Sequence, residues 1–192
     1  MDDDVQRFDR WSKTYEASWA QRFFDAVHRA MFDLIAEDPA FAPETILDVG
    51  CGTGRLLRKA AERWPAAKLT GIDAAEGMIT VARSLMPGIV FHQCFAESLP
   101  LGDATVDLAM SSVSMHHWRD GGAGVSEVAR VLRIGGLFCL ADMAPAPWLA
   151  KLGRSKARNR RAINGLLTGA GFRIRRQRGM MAGFVAVSLA IK

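Results

Sequence analysis

The chain has 192 residues, of which 49% are hydrophobic and 23% charged, a balance typical of one folded domain rather than a disordered chain. No apolar run approaches the roughly 20 residues of a membrane span. The acidic N-terminus also lacks the pattern of a secretory signal, so we expect a cytoplasmic protein. The net charge of +5 is uneven: all 20 acidic residues lie at or before Asp142, and eleven of the 25 basic residues follow it.

Short apolar runs alternate with amphipathic stretches along most of the chain. Apolar residues at helical spacing, from Phe23 to Leu34, predict one or two helices over residues 5–36. The predicted strands are 45–49, 68–73, 89–95, 106–112, 137–141, 172–176 and 184–191. The later predicted helices cover 56–64, 78–85, 121–132 and 154–168.

Strand and helix alternate through the fifth strand, which predicts an α/β fold with a doubly wound, mostly parallel sheet. The last two strands follow each other directly, which indicates a hairpin. We therefore expect seven strands, one of them antiparallel to the others.

The first predicted strand runs directly into Gly50-Cys51-Gly52-Thr53-Gly54. Glycines at such a turn allow positive φ and a close ligand approach, and α/β sheets bind ligands at this edge. The spacing is G-x-G-x-G, whereas a dinucleotide fingerprint is G-x-G-x-x-G. Asp48 would repel a pyrophosphate but suits a ligand with an ammonium and a sulfonium group. Asp73, at the end of the second strand, suits the two hydroxyls of a ribose.

The segment Ile46-Leu47-Asp48-Val49-Gly50-Cys51-Gly52-Thr53-Gly54 resembles the first motif of class I S-adenosylmethionine (SAM)-dependent methyltransferases. The resemblance is to the branch of ubiquinone/menaquinone-biosynthesis and many small-molecule methyltransferases. Gly71-Ile72-Asp73 with Met78 is similar to the second motif. Residues 96–101 resemble the segment that lines the adenine pocket, and residues 127–136 the helix and turn before the fifth strand.

This resemblance implies a Rossmann-like methyltransferase fold, SAM as cofactor and S-adenosylhomocysteine (SAH) as product. Residues 1–43 would form a helical cap, 44–142 the cofactor-binding core, and 143–192 a basic helix with the closing hairpin. The implied cofactor-binding residues are Tyr15, Asp48, Gly50, Cys51, Gly52, Gly54, Asp73, Ala74, Met78, Ala96, Glu97 and Ser112.

Two positions depart from the family pattern. Phe95 stands where relatives commonly carry an aspartate that accepts from the adenine amino group, which leaves Ala96 and Glu97 as candidates for adenine recognition. Ile134 replaces the usual proline before Gly135-Gly136.

Methyl transfer chiefly requires alignment of the nucleophile with the methyl group, so no metal is expected. His116 and His117 follow the fourth strand, and histidine titrates near neutrality. Either is a candidate general base for a hydroxyl or ammonium acceptor, and a structural or substrate-shaping role is the alternative. Residues 111–114 do not resemble the Asn/Asp-Pro-Pro-Tyr segment of nucleic-acid base methyltransferases, so we expect a small-molecule acceptor.

Three alternatives stay open. An RNA or phosphorylated substrate would use Arg154, Arg158, Arg160 or Arg161. An NAD(P)-type oxidoreductase is disfavoured by the glycine spacing and Asp48. A non-catalytic cofactor-binding protein remains, because methyl transfer needs few dedicated side chains. The cysteines are widely spaced, which predicts reduced thiols, and in the loop Cys51 is interpreted as a small residue rather than a nucleophile.

Overall fold

The computed structural model describes residues 3–145 and 158–192. Seven strands form one sheet in the order β3-β2-β1-β4-β5-β7-β6. The strands are β1 Thr45–Val49, β2 Lys68–Asp73, β3 Val90–Gln93, β4 Val106–Ser112, β5 Leu132–Met143, β6 Arg173–Met180 and β7 Val185–Ile191. The pairs from β3 to β5 are parallel, whereas β7 runs antiparallel to both β5 and β6. This confirms the predicted doubly wound, mostly parallel sheet with one antiparallel strand.

Helices cover both faces of the sheet. They are α1 Asp3–Tyr15, α2 Gln21–Ala36, α3 Arg55–Arg63, α4 Glu76–Leu85, α5 Gly121–Val131 and α6 Arg160–Gly169, with 3₁₀ turns at Met115–His117 and Met181–Gly183. Successive strand residues face opposite sides, so Ile46 packs in the core under α2, α3 and α4 while Leu47 packs in the core under α5 and α6. Within residues 3–145 and 158–192, no helix has the length and apolarity needed to cross a bilayer.

The bounds of β3 and β5 differ from the sequence prediction because the pairing partners of these strands, not residue propensity, decide where each one begins and ends. β3 ends at Gln93 rather than residue 95, because Gln93 pairs with Asp73, the last residue of β2. β5 begins at Leu132 rather than residue 137, since Leu132 already pairs with Val106. The preceding helix accordingly stops at residue 131.

Further differences lie near the two ends of the chain. The predicted 5–36 helical region is two helices, α1 and α2, separated by a short connector of residues 16–20. β6 extends to Met180 because the hairpin pairing continues to Val185. The helix predicted from residue 154 begins at Arg160 among the described residues, where Asn159 caps its first turn, and Arg154 lies outside the described part.

α1 lies across α4 at the carboxyl edge of the sheet, and two sets of contacts hold it there. The Asp9 carboxylate accepts from the Gly77 amide at 2.8 Å, and a Cβ at Gly77 would lie 2.6 Å from the Ser12 hydroxyl oxygen. In the connector, Glu16 accepts from the Thr53 hydroxyl and from Arg58 at 2.9 Å. α1 thus forms one wall of the space above the strand ends.

Candidate active site

A cavity of about 490 Å³ opens between α1 and the carboxyl ends of β1, β2 and β4. Its volume falls in the range of small-molecule sites. The predicted site residues that line it are Tyr15, Gly50, Gly52, Asp73, Ala74, Met78, Ala96, Glu97, Ser112, His116 and His117. A smaller pocket of about 40 Å³ shares part of this wall, and Asp48 and Cys51 line it. Gly54 lines neither cavity.

Two positions of the glycine loop require glycine for a reason of backbone geometry or space. Gly50 has φ of +75°, and a Cβ there would lie only 1.8 Å from the Ser114 hydroxyl oxygen, so a side chain would collide with the turn after β4. Gly54 has φ of +79° and stands at the N-cap of α3. Gly54 therefore sets the start of the helix, while Gly50 lets the loop approach the turn after β4.

Asp48 is a buried acidic residue that precedes the glycine loop. Its side chain is 1% exposed, and its Oδ1 has no hydrogen-bond partner among the described residues. Burial, and then the neighbouring charge of Asp73, raise its pKa to about 8. Such a group favours either a proton or a cationic ligand beside it.

Asp73 differs from Asp48 because backbone amides donate a hydrogen bond to each of its carboxylate oxygens. Its Oδ2 accepts from the Gly52 amide and its Oδ1 from the Ala75 amide, both at 2.9 Å. Burial still raises its pKa, against the opposing effect of these bonds. Each carboxylate oxygen has a second lone pair, so Asp73 can accept further bonds from a ligand in the cavity that it lines.

The far end of the cavity combines apolar surface with one acceptor. Met78 is 2% exposed and lines the wall, and the Arg119 guanidinium lies 3.5 Å from the centre of the Phe95 ring. Glu97 accepts from the Asp120 amide at 2.8 Å through Oε1, while its Oε2 is buried with no partner among the described residues. Glu97 therefore provides a hydrogen-bond acceptor, which the Phe95 side chain lacks.

Aromatic side chains close the α1 side of the cavity. The Tyr15 ring lies 4.7 Å from that of Trp11 and 5.8 Å from that of Phe24. Burial is the main reason that the pKa of the Tyr15 hydroxyl is raised, with Asp73 and Glu16 adding to it. Tyr15 is therefore a neutral wall of the cavity.

The two histidines occupy the 3₁₀ turn after β4 and differ in their surroundings. His116 Nδ1 lies 2.6 Å from Asp142 Oδ1, and Asp142 is 1% exposed. His117 Nδ1 lies 3.3 Å from Asp4 Oδ2, and the two rings are 3.9 Å apart. Burial, and then the nearby His116, lower the pKa of His117 to about 4.

Sequence reasoning missed Asp142 and Asp4 as partners of the histidines. Asp142 follows the apolar run 137–141 at the end of a strand, as Asp48 and Asp73 do in theirs, and that pattern was the available signal. Asp4 reaches its histidine from a distant helix, so the sequence offered no local signal for it.

The basic C-terminal region is partly neutralised within the fold. Arg175, Arg176 and Arg178 on β6 form ion pairs with Asp38, Glu37 and Asp33 around α2. Arg158 lies beside Gly121, where a Cβ would come within 3.1 Å of its guanidinium. Several of these arginines therefore pair with the body of the same protein.

Residues 46–136, which hold the glycine loop, Asp48, Asp73 and both histidines, match the methyltransferase domain family. The match covers a little under half of the chain. The chain is 29% identical to a trans-aconitate 2-methyltransferase of Azoarcus sp. over 157 residues, 75% of this chain and 62% of that protein. It is 37% identical to the demethylmenaquinone methyltransferase of Chlorobaculum parvum over 109 residues, 56% of this chain and 45% of that protein.

A SAM-dependent methyltransferase from Aquifex aeolicus has the same fold, with a TM-score of 0.74, 19% identity and coverage of 95% of this chain and 97% of that one. The present chain spans only about half to three-fifths of the length of these two curated relatives. The structural comparison therefore shows the Rossmann-like methyltransferase fold, and residues 46–136 are similar to the methyltransferase domain family.

Proposed function

We propose that the protein is a SAM-dependent methyltransferase that acts on a small-molecule acceptor. The buried Asp48 side chain, whose Oδ1 has no hydrogen-bond partner among the described residues, is the observation that carries this proposal. A pyrophosphate beside Asp48 would add repulsion, whereas a ligand with an ammonium and a sulfonium would supply the missing positive charge.

The residues present fit SAM along its whole length. Asp48 and the small pocket would hold the charged amino-acid end, and Asp73 would accept from the ribose hydroxyls. Met78 and Ala96 would pack on adenine, and Glu97 Oε2 would accept from its amino group. When bound, SAM would supply a methyl group on a sulfonium, which is displaced in line by the acceptor.

The chain's own residues would exclude water and hold a proton. Phe8, Trp11 and Tyr15 on α1 cover the cavity, which limits competition by water. His116 and His117 line the same cavity and would take a proton from an acceptor that must lose one. The names of the two curated relatives, a trans-aconitate and a demethylmenaquinone methyltransferase, support a small-molecule acceptor.

Titration calorimetry with SAM, SAH and NAD tests the proposal. We expect SAM and SAH to bind and NAD to bind far more weakly. Asp73→Ala removes a charged hydrogen-bond acceptor, so it should weaken SAM binding by about 1.5–3 kcal/mol. Asp33→Ala, which removes a half-exposed carboxylate on α2, is the matched control and should leave the affinity unchanged. Binding of neither SAM nor SAH would refute the proposal.

A second candidate is methylation of RNA or of a phosphorylated acceptor. Its support is the excess of basic residues after Asp142, and the ion pairs of the β6 arginines count against it. Phosphate contacts release counterions, so turnover on such a substrate would fall steeply with salt. Turnover that is insensitive to salt would rule out this candidate.

A further inference from the structure

The hairpin that closes the sheet carries exposed apolar side chains at its turn. β6 runs parallel to β5, since both are antiparallel to β7, so the turn Met181–Gly183 lies beyond the carboxyl edge of the sheet. Met181 and Phe184, the residue after the turn, are both exposed. The Phe184 carbonyl accepts from the Ala144 amide at 2.7 Å, which ties the turn to the end of β5. The hairpin therefore holds these apolar side chains outside the fold.

The backbone of this turn is unfavourable for the residues that form it. Met181 and Ala182 have φ of +50° and +55°, in the left-handed region that L residues with a side chain rarely occupy. Strained backbone often accompanies a functional requirement. Glycine would remove the strain at either position, so the turn itself does not account for a methionine there.

A tryptophan is exposed at the same edge of the sheet. Trp19, in the connector before α2, is 87% exposed. The start of α2 lies at this edge, because Asp25 pairs at 2.9 Å with Arg55 at the start of α3, directly after the glycine loop. Trp19, Met181 and Phe184 line neither of the cavities described above. These three apolar side chains thus lie on the outside of the molecule, at the carboxyl edge.

Positive charge without an internal partner lies beside the hairpin turn. Arg160 and Arg161 are exposed in the first turn of α6, and a Cβ at Gly179 would lie 2.7 Å from the Arg160 guanidinium. Neither arginine forms an ion pair with another described residue, whereas Arg178 of β6 pairs with Asp33. Positive charge in the first turn opposes the helix dipole, so these two arginines do not stabilise α6. An anion outside the protein would compensate them.

We propose that this edge is a contact surface for a membrane bilayer that contains anionic phospholipids. Exposed Trp, Met and Phe side chains suit the interfacial layer of a bilayer, where an apolar face is buried without a membrane span. Arginines beside them are attracted to lipid phosphates. A bilayer fits better than an RNA strand or a peptide, because those follow a groove and these side chains lie outside the described cavities. The proposal goes beyond the proposed methyl transfer and does not depend on it.

Vesicle sedimentation with the full chain tests the charged part of the surface. The probes are vesicles of phosphatidylcholine alone and of phosphatidylcholine mixed with phosphatidylglycerol. We expect the protein to sediment with the mixed vesicles only, and added salt to weaken this binding by screening. Arg160→Gln and Arg161→Gln should each lower the affinity about fivefold. Arg173→Gln is the matched control and should change nothing, because this exposed arginine begins β6 at the opposite edge.

The same assay tests the apolar part. Trp19→Ser and Met181→Ser should each lower the affinity about tenfold, since each removes apolar surface that the bilayer would bury. Ile134→Ser is the control, because Ile134 is 91% exposed but lies near the start of β5, at the opposite edge. Brominated phosphatidylglycerol should quench the tryptophan fluorescence of the wild type much more than that of Trp19→Phe.

Several outcomes would overturn the proposal. They are equal binding to both kinds of vesicle, binding to neither, and an affinity that Trp19→Ser and Arg161→Gln leave at the wild-type value. Sedimentation velocity without lipid and binding of polyuridylate test the other occupants. Self-association abolished by Met181→Ser would assign the edge to a second copy, and RNA binding abolished by Arg160→Gln would assign it to RNA; either result overturns the bilayer contact. Each of these measurements is made without SAM, so failure of the proposed function would leave them unaffected.

Discussion

Replacing Asp48 by asparagine is expected to stabilise the protein and to weaken its affinity for SAM. In the unfolded chain an aspartate ionises near pH 4, about 3.9 in model peptides, whereas in the fold the pKa of Asp48 is about 8. At neutral pH the folded state therefore holds a proton that the unfolded state has lost. Roughly three pH units at about 1.4 kcal/mol each give a destabilisation of about 4 kcal/mol, which asparagine avoids.

Denaturant unfolding across the pH range measures this effect. A raised carboxyl pKa does not change the free energy of unfolding below about pH 4, where the group is protonated in both states. It lowers this free energy progressively as the pH rises from about 4 to about 8. The stability of Asp48→Asn relative to wild type should therefore increase by about 1.4 kcal/mol per pH unit in that window and then level off. Asp73→Asn is the contrasting variant, since an amide nitrogen cannot accept and one of the two backbone N–H groups would lose its acceptor. Its stability should therefore lie about 1–3 kcal/mol below that of Asp48→Asn. A difference between Asp48→Asn and wild type that does not vary with pH would refute the reasoning.

The same carboxyl group links SAM binding to proton release. Asp48 must ionise to pair with an ammonium, so binding at neutral pH should release close to one proton. The affinity should rise by about tenfold per pH unit up to about pH 8, where the α-amino group of the ligand begins to lose its charge. Calorimetry in two buffers of different ionisation enthalpy measures the protons released. Binding without proton release would show that Asp48 is not the partner of the ammonium.

Three further predictions concern the glycine loop, the buried His28 and the ion pair of the α1–α2 connector. Gly50→Ala should lose at least about 2 kcal/mol of stability, because its Cβ would collide with the Ser114 hydroxyl. Gly52→Ala, which has open space around the added carbon, should lose about 1 kcal/mol. Equal losses in thermal unfolding would contradict this. His28 is buried and its pKa is lowered to about 3, so stability should fall as the pH drops from about 6.5 towards that value, and His28→Gln should flatten this acid limb in denaturant titrations. Arg58→Ala removes the ion pair that holds the α1–α2 connector, so it should lower Tm and weaken SAM binding; an unchanged affinity would mean that α1 is held without it.

The parts of the site that sequence could predict are local in the chain. Asp48 and Gly50 are two residues apart, and a strand-loop-helix pattern specifies their relation without knowledge of the rest. The ends of β3 and β5 were predicted wrongly because they depend on which distant residue each one pairs with. His116 and Asp142 are 26 residues apart, and their contact required the register of two strands.

β6 forms an edge of the sheet in the part of the chain that the structure describes, and four arginines stand along its eight residues. An edge strand presents unpaired backbone groups that can recruit a strand of another molecule. Two copies of β6 brought side by side would place rows of guanidinium groups against each other, and like charges directly opposite are destabilising. The ion pairs with α2 hold several of these side chains in place. We therefore expect the arginines of β6 to disfavour edge-to-edge pairing of two copies of this strand.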